Sequence, residues 1–100
     1  MGILIDSKNE TLTSVLGTAT HEFVINNAIL MQIFIKPVTS STTYDVSITD
    51  VNSTVVFYET DCQGEFNQIV SIPIYGNCTL TITNSSVDEN YNCILSFRRS

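Results

Sequence analysis

The chain has 100 residues, 43% of them apolar and 14% charged, with no Trp and a formal net charge of −6. That length suits one domain with its own core, and a charged fraction well below the roughly 25% of an average domain leaves solubility to Ser, Thr and Asn. The negative balance disfavours phosphate backbones and anionic lipid as partners, so neither nucleic acid nor membrane is expected, and the Arg98–Arg99 pair reads as a solvated end.

The opening, Met1 to Glu10, lacks a basic n-region, and its apolar run stops at Asp6. It is therefore not read as a secretory signal. No apolar stretch approaches the roughly 20 residues that cross a bilayer as a helix, and synthesis in a cytoplasm is expected. Residues 1–17, with the apolar run Ile3-Leu4-Ile5, read as an N-terminal arm or an edge strand, and residues 18–100 as the main domain.

Thr20 to Ile25 alternates, with His21, Phe23 and Ile25 on one face. Asn26-Asn27-Ala28 reads as a tight hairpin connection, since Asn tolerates left-handed backbone. Across it Ile25 is expected to face Ile29, Phe23 to face Met31 and His21 to face Ile33. Leu30 and Phe34 then occupy the other face of an Ile29 to Lys36 strand that is apolar on both sides. Pro37 ends it.

The stretch Tyr44 to Glu59 organises the rest. Tyr44, Val46 and Ile48 alternate with Asp45, Ser47 and Thr49, the period of a half-buried strand. After a polar break at Asp50 to Ser53, Val55, Val56, Phe57 and Tyr58 resume. Opposing Ile48 to Val56 and Val46 to Tyr58 gives a hairpin with one apolar face. Its second strand is apolar on both faces and is expected to be covered on both sides. Thr60 to Glu65 reads as a polar loop turning at Gly64, and Phe66 to Ile72 as a strand stopped at Pro73. Cys78, Leu80 and Ile82, then Tyr91, Cys93, Leu95 and Phe97, alternate in the last two strands. No stretch has helical periodicity. The pattern predicts an all-β antiparallel sandwich or jelly roll of about seven to eight strands. Its expected core holds Phe23, Ile33, Val46, Ile48, Leu80, Ile82, Leu95 and Phe97.

Chemistry is sparse. His21, the single histidine, lies beside Phe23 on the inward face and reads as a packed or rim residue. Asp45, Asp50, Asp61, Asp88 and Glu89 fall in loops or at strand ends, without the D-x-[DN]-x-[DN]-G run of a calcium loop. Cys62, Cys78 and Cys93 form no C-x-x-C. Cys78 and Cys93 share a face of two strands expected to pair, so a bridge is conceivable, and buried free thiols are the stronger reading. The four N-x-[ST] sequons at Asn9, Asn52, Asn77 and Asn84 follow from an Asn/Ser/Thr-rich composition. No catalytic residue, metal or cofactor is expected.

The order F-V-I, a buried strand, Y-D-V-S-I-T-D, V-V-F-Y-E, G-N-C-T-L-T-I and Y-N-C-I-L-S-F resembles the β-sandwich of prepeptidase C-terminal-type domains. It also resembles short virion proteins of tailed phages that decorate or cement capsids. The resemblance covers Thr18 to Phe97. It implies a non-catalytic virion structural protein on the capsid surface, homo-oligomeric or bound to the major capsid protein. Expected contact residues are Ile3, Leu4, Ile5, Leu30, Phe34, Val55, Phe57 and Tyr58, although burial between two sheets would use the same apolar faces. The other reading is a carbohydrate- or receptor-binding module of tail-fibre type, with Tyr58 and Tyr75 stacking on sugars.

Overall fold

The computed structural model describes residues 5–99. Eight strands form two sheets: β1 (Ile5–Thr13), β2 (Ala19–Phe23), β3 (Ala28–Pro37), β4 (Thr43–Thr49), β5 (Val55–Gln63), β6 (Phe66–Ile74), β7 (Cys78–Thr83) and β8 (Asn90–Arg98). One four-stranded sheet runs β1-β8-β3-β6 and the other β2-β7-β4-β5, with every pair antiparallel. This is the eight-stranded jelly roll that the alternation predicts. Of the two readings for the first residues, Ile5–Thr13 form an edge strand on β8, with Leu12 in the core.

All eight expected core residues are buried. In one sheet Ile48 opposes Leu80 and Val46 opposes Ile82, which makes a fully buried aliphatic square. In the other, Ile33 opposes Leu95 and Leu30 opposes Phe97. Tyr44 and Tyr91 close one end, edge to face with centroids 5.1 Å apart. The Tyr44 hydroxyl donates to the Gly64 carbonyl at 2.7 Å, and burial pushes its pKa up from the ordinary phenol value.

Several expected pairings are corrected. Asn26-Asn27-Ala28 is a crossing between sheets and not a hairpin, so β2 pairs with β7 while β3 pairs with β8 and β6. Phe23 opposes Cys78 and His21 opposes Leu80. Asn26 and Asn27 do adopt left-handed φ, 53° and 63°. What decides the direction is the β6–β7 turn. The Ile25 amide donates to Asn77 Oδ1, the Gly76 amide donates to Asn27 Oδ1, and the Asn27 amide donates to the Gly76 carbonyl. For the same topological reason Cys78 and Cys93 sit in different sheets, do not pair, and are free buried thiols.

The β4–β5 hairpin forms with a shifted pairing: Ile48 opposes Phe57, Val46 opposes Glu59 and Thr49 opposes Val55, with irregularities on both sides. Asp50 shapes the connection by accepting the Asn52 and Thr54 amides on one carboxylate oxygen, an Asx-type turn. β5 continues to Gln63 through the stretch read as a loop, because Cys62 packs inward opposite Tyr44. Among the described residues no layer covers the outer face of its sheet, so outward Val55 and Tyr58 meet solvent instead of a second cover. β6 runs past Pro73 to Ile74, which an edge strand permits because one side of its backbone has no ladder partner.

Candidate functional site

The two outer faces of the sandwich differ. On the β2-β7-β4-β5 sheet, inward Val46, Ile48, Leu80 and Ile82 leave Ser47, Thr49, Thr79, Thr81 and Thr20 outward. Hydroxyls bridge this face, with Thr20 Oγ1 3.2 Å from Thr81 Oγ1. Tyr58, opposite Ser47, lies on the same face and is 61% exposed.

The β1-β8-β3-β6 sheet turns outward an apolar patch set among polar residues, with Asn9 opposite Ile94, Asn67 opposite Phe34 and Lys36 opposite Asn92. Ile94 and Phe34 are cross-strand neighbours, Ile29 opposes Pro73, and Gln32 opposes Ile69. Ile29, Phe34 and Ile94 are half-buried, and Ile69 is 73% exposed. Phe34 and Ile94 point outward because Ile33, Ile35 and Leu95 point inward, Ile29 because its neighbours Ala28 and Leu30 are buried, and Ile69 because it opposes outward Gln32. Gln32 Nε2 donates to Asn67 Oδ1 at 2.8 Å across this face.

Of the expected contact residues, Phe34 belongs to this surface. Leu30 does not: it is fully buried against Phe97, because the strand is irregular between Leu30 and Gln32 and the alternation shifts by one at Met31. Val55 and Tyr58 are exposed on the opposite sheet, and Phe57 is half-buried against Phe66 at 6.1 Å between centroids. Ile3 and Leu4 lie outside the described residues, and Ile5 is placed by its backbone alone, opposite Arg98. The sequence reading missed Ile69, Pro73 and Ile94. Their outward parity was legible, but their adjacency to Phe34 is a product of strand order.

His21 opposes buried Leu80 on the inward side of β2 and is half-exposed at the rim, because β2 is an edge strand. It packs edge-on against Phe23 at 4.8 Å, with Nε2 3.6 Å from Glu10 Oε1, in a groove of ≈ 440 Å³ between Ser7–Glu10 and His21–Val24. Burial pushes the Cys62 thiol up to about 11, and those of Cys78 and Cys93 to about 12, far from nucleophilic thiolates. Among the described residues, no three His, Cys, Asp or Glu gather to hold a metal. No helix of the described residues is long and apolar enough to cross a membrane.

One end of the sandwich is tied by acids. Glu89 accepts the Thr39 amide at 3.1 Å and the Thr39 and Thr42 hydroxyls at 2.9 and 2.8 Å. Desolvation raises the Glu89 pKa, but these donors outweigh it and leave it below the ordinary value. Asp45 is lowered by the Asp61 amide first and then by Asn84. A carboxyl lowered in the folded state stabilises above its unfolded pKa and loses that stabilisation as pH falls through the folded one. Thermal midpoints should therefore be level above about pH 5 and drop below about pH 4, and Glu89→Gln should flatten the drop in a pH-series melt.

Asp88 holds the neighbouring turn, accepting the Leu16 and Gly17 amides at 2.9 Å each. Val15 and Thr18 bridge this two-residue turn, and both its central residues have positive φ, 53° at Leu16 and 81° at Gly17. Leu16 is 93% exposed, so no packing offsets its left-handed backbone. Leu16→Asn should raise stability by about 0.5–1 kcal/mol, since Asn suits that position. An unchanged or lower urea midpoint would contradict this account of the turn.

No family model matches the sequence, and no curated protein matches it. Among solved structures, the chain is similar to the carbohydrate-binding module CBM36 in complex with calcium and xylotriose, at 10% identity over 95% of this chain and 92% of that one, TM-score 0.47. It is also similar to a chain in the structure of infectious bursal disease virus Gx strain, at 11% identity over 97% of this chain and 31% of that one, TM-score 0.41. For the Gt strain the values are 11%, 98%, 32% and 0.34.

Proposed function

We propose that the protein is a non-catalytic virion structural subunit, a capsid decoration or cement protein of the tailed-phage type, working by contact with its own copies and with the major capsid protein. The observation that carries this reading is the inequality of the two outer faces. One sheet is carpeted with Ser and Thr, as a solvated face is. The other presents Ile29, Phe34, Ile69, Pro73 and Ile94 on a chain with few charges. An apolar patch of that kind, rimmed by polar residues, suits burial against a neighbouring subunit. If a major capsid protein is encoded beside this chain, Phe34→Ser with Ile94→Thr should abolish co-sedimentation with its particles while the far-UV circular dichroism stays that of a β protein. Unchanged co-sedimentation, or none with the unaltered chain, overturns the reading.

A second reading, a carbohydrate- or receptor-binding module, is favoured by one feature. Tyr58 stands on the hydroxyl-covered sheet beside Ser47, an exposed aromatic ring among polar donors. A glycan panel that retains the unaltered chain and releases Tyr58→Ala would support it over the capsid reading.

A further inference from the structure

The four edge strands of the sandwich are not alike. β1 carries Asp6, Lys8 and Glu10, with Lys8 Nζ 3.8 Å from Asp6 Oδ2. β2 is only 5 residues long and carries His21 and Glu22. β5 carries Glu59 and Asp61 and is broken from regular pairing at two places, with Asp61 at φ 57°. Charges, shortness and bulges are the devices that stop an edge from accepting another chain. β6 has 9 residues, Phe66–Ile74, and none is charged. Besides Pro73 at its far end, it has one irregularity, where its pairing with β3 steps from Leu30–Ile72 to Gln32–Ile69, and Phe66–Ile69 pair regularly. Among the described residues, no strand pairs with its outer side.

We infer that β6 is the self-association edge: two copies of this chain pair β6 to β6, antiparallel about a two-fold axis at Ile69, joining two four-stranded sheets into one of eight strands. This rests on the proposed assembly role and names the surface that serves it. The occupant is a second copy for two reasons. First, the sequence is partly symmetric in character about Ile69: Phe66 would oppose Ile72, apolar on apolar, and Asn67 would oppose Ser71, polar on polar, while Gln68 would oppose Val70. A two-fold contact has to be self-complementary in this way. Second, a chain with net charge −6 repels its own copies, and a charge-free edge is where they meet at least electrostatic cost. Ile69, 73% exposed, meets its own twin at the axis and brings the apolar outer faces of the two copies into continuity. The pairing closes on itself. It consumes both β6 edges and leaves a dimer with no further uncharged edge, which sets it apart from open-ended strand addition.

Ile69 is exposed, so its substitution tests the contact without touching the core. In sedimentation equilibrium on the full chain, the unaltered protein should form dimers that dissociate on dilution. Ile69→Lys and Ile69→Glu should each be monomeric at concentrations where the unaltered chain is more than half dimeric, with circular dichroism and thermal midpoint of the monomer preserved. An equimolar mixture of the two should recover the dimer, because Lys now faces Glu across the axis. Thr11→Lys on the β1 edge should leave dimerisation as it was. A dimer that persists in both single variants, or a mixture that stays monomeric, overturns the β6 contact alone. An unaltered chain that is monomeric at every concentration overturns self-association altogether, leaving capsid binding to the co-sedimentation test.

Discussion

Truncating Phe97 to Ala should lower the unfolding free energy by about 3–5 kcal/mol, and Leu80 to Ala by about 2–5 kcal/mol. Phe97 is 1% exposed in β8, which lies inside its sheet between β1 and β3, and its partner across β3 is Leu30. Leu80 is fully buried in the facing sheet, between β2 and β4. Both strands are laddered on two sides, so the backbone around either cavity is held and collapses little. The loss is then the transfer term plus most of the cavity term. An exposed apolar residue such as Val38 serves as the reference, and its Ala variant should stay within about 0.5 kcal/mol. Urea midpoints for Phe97→Ala and Leu80→Ala equal to that of Val38→Ala would show that the two sheets do not face each other as described.

Gly64→Ala should cost about 2–4 kcal/mol, a large effect for one methyl group. Gly64 has φ 62°, and a Cβ there would lie 2.5 Å from the Ser40 carbonyl oxygen. That oxygen belongs to backbone and cannot swing away. The Gly64 amide donates to the Thr42 carbonyl, and its own carbonyl accepts the buried Tyr44 hydroxyl, so any shift also strains two hydrogen bonds. Gly17 provides the control. It too has positive φ, 81°, but a Cβ there meets nothing nearer than 3.6 Å. Gly17→Ala should therefore cost only the backbone conformation, about 1 kcal/mol. Equal thermal shifts in the two variants would rule out the steric part of this account.

Parity along the strands was legible because burial repeats every second residue: Val46 and Ile48, Leu80 and Ile82, Leu95 and Phe97 all point inward as their alternation says. Sheet membership was not. Two left-handed asparagines at Asn26 and Asn27 suit a hairpin and an arch between sheets equally well, and the choice is made 50 residues away by Gly76 and Asn77. Local alternation also hides its own interruptions. Met31 is apolar like its neighbours, so nothing in Ile29-Leu30-Met31-Gln32 marks the irregularity that sends Leu30 inward. The apolar outer face was half legible for a related reason. Phe34 was visible as outward, whereas Ile94 and Ile69 join it only once β8 and β6 flank β3.

The strand order bears on how the chain can fold during synthesis. Only β4 and β5 are both consecutive and paired; every other connection passes from one sheet to the other. β8 fills the gap between β1 and β3, so those strands wait, unpaired on that side, until residues Asn90–Arg98 leave the ribosome. At about 5–20 residues per second that is a delay of seconds, during which the β4–β5 hairpin is the one element able to form locally. Final closure through such distant partners belongs to the slow class of topologies, roughly milliseconds to seconds. Nascent chains should accordingly remain protease-sensitive until β8 emerges, then become resistant in a single step.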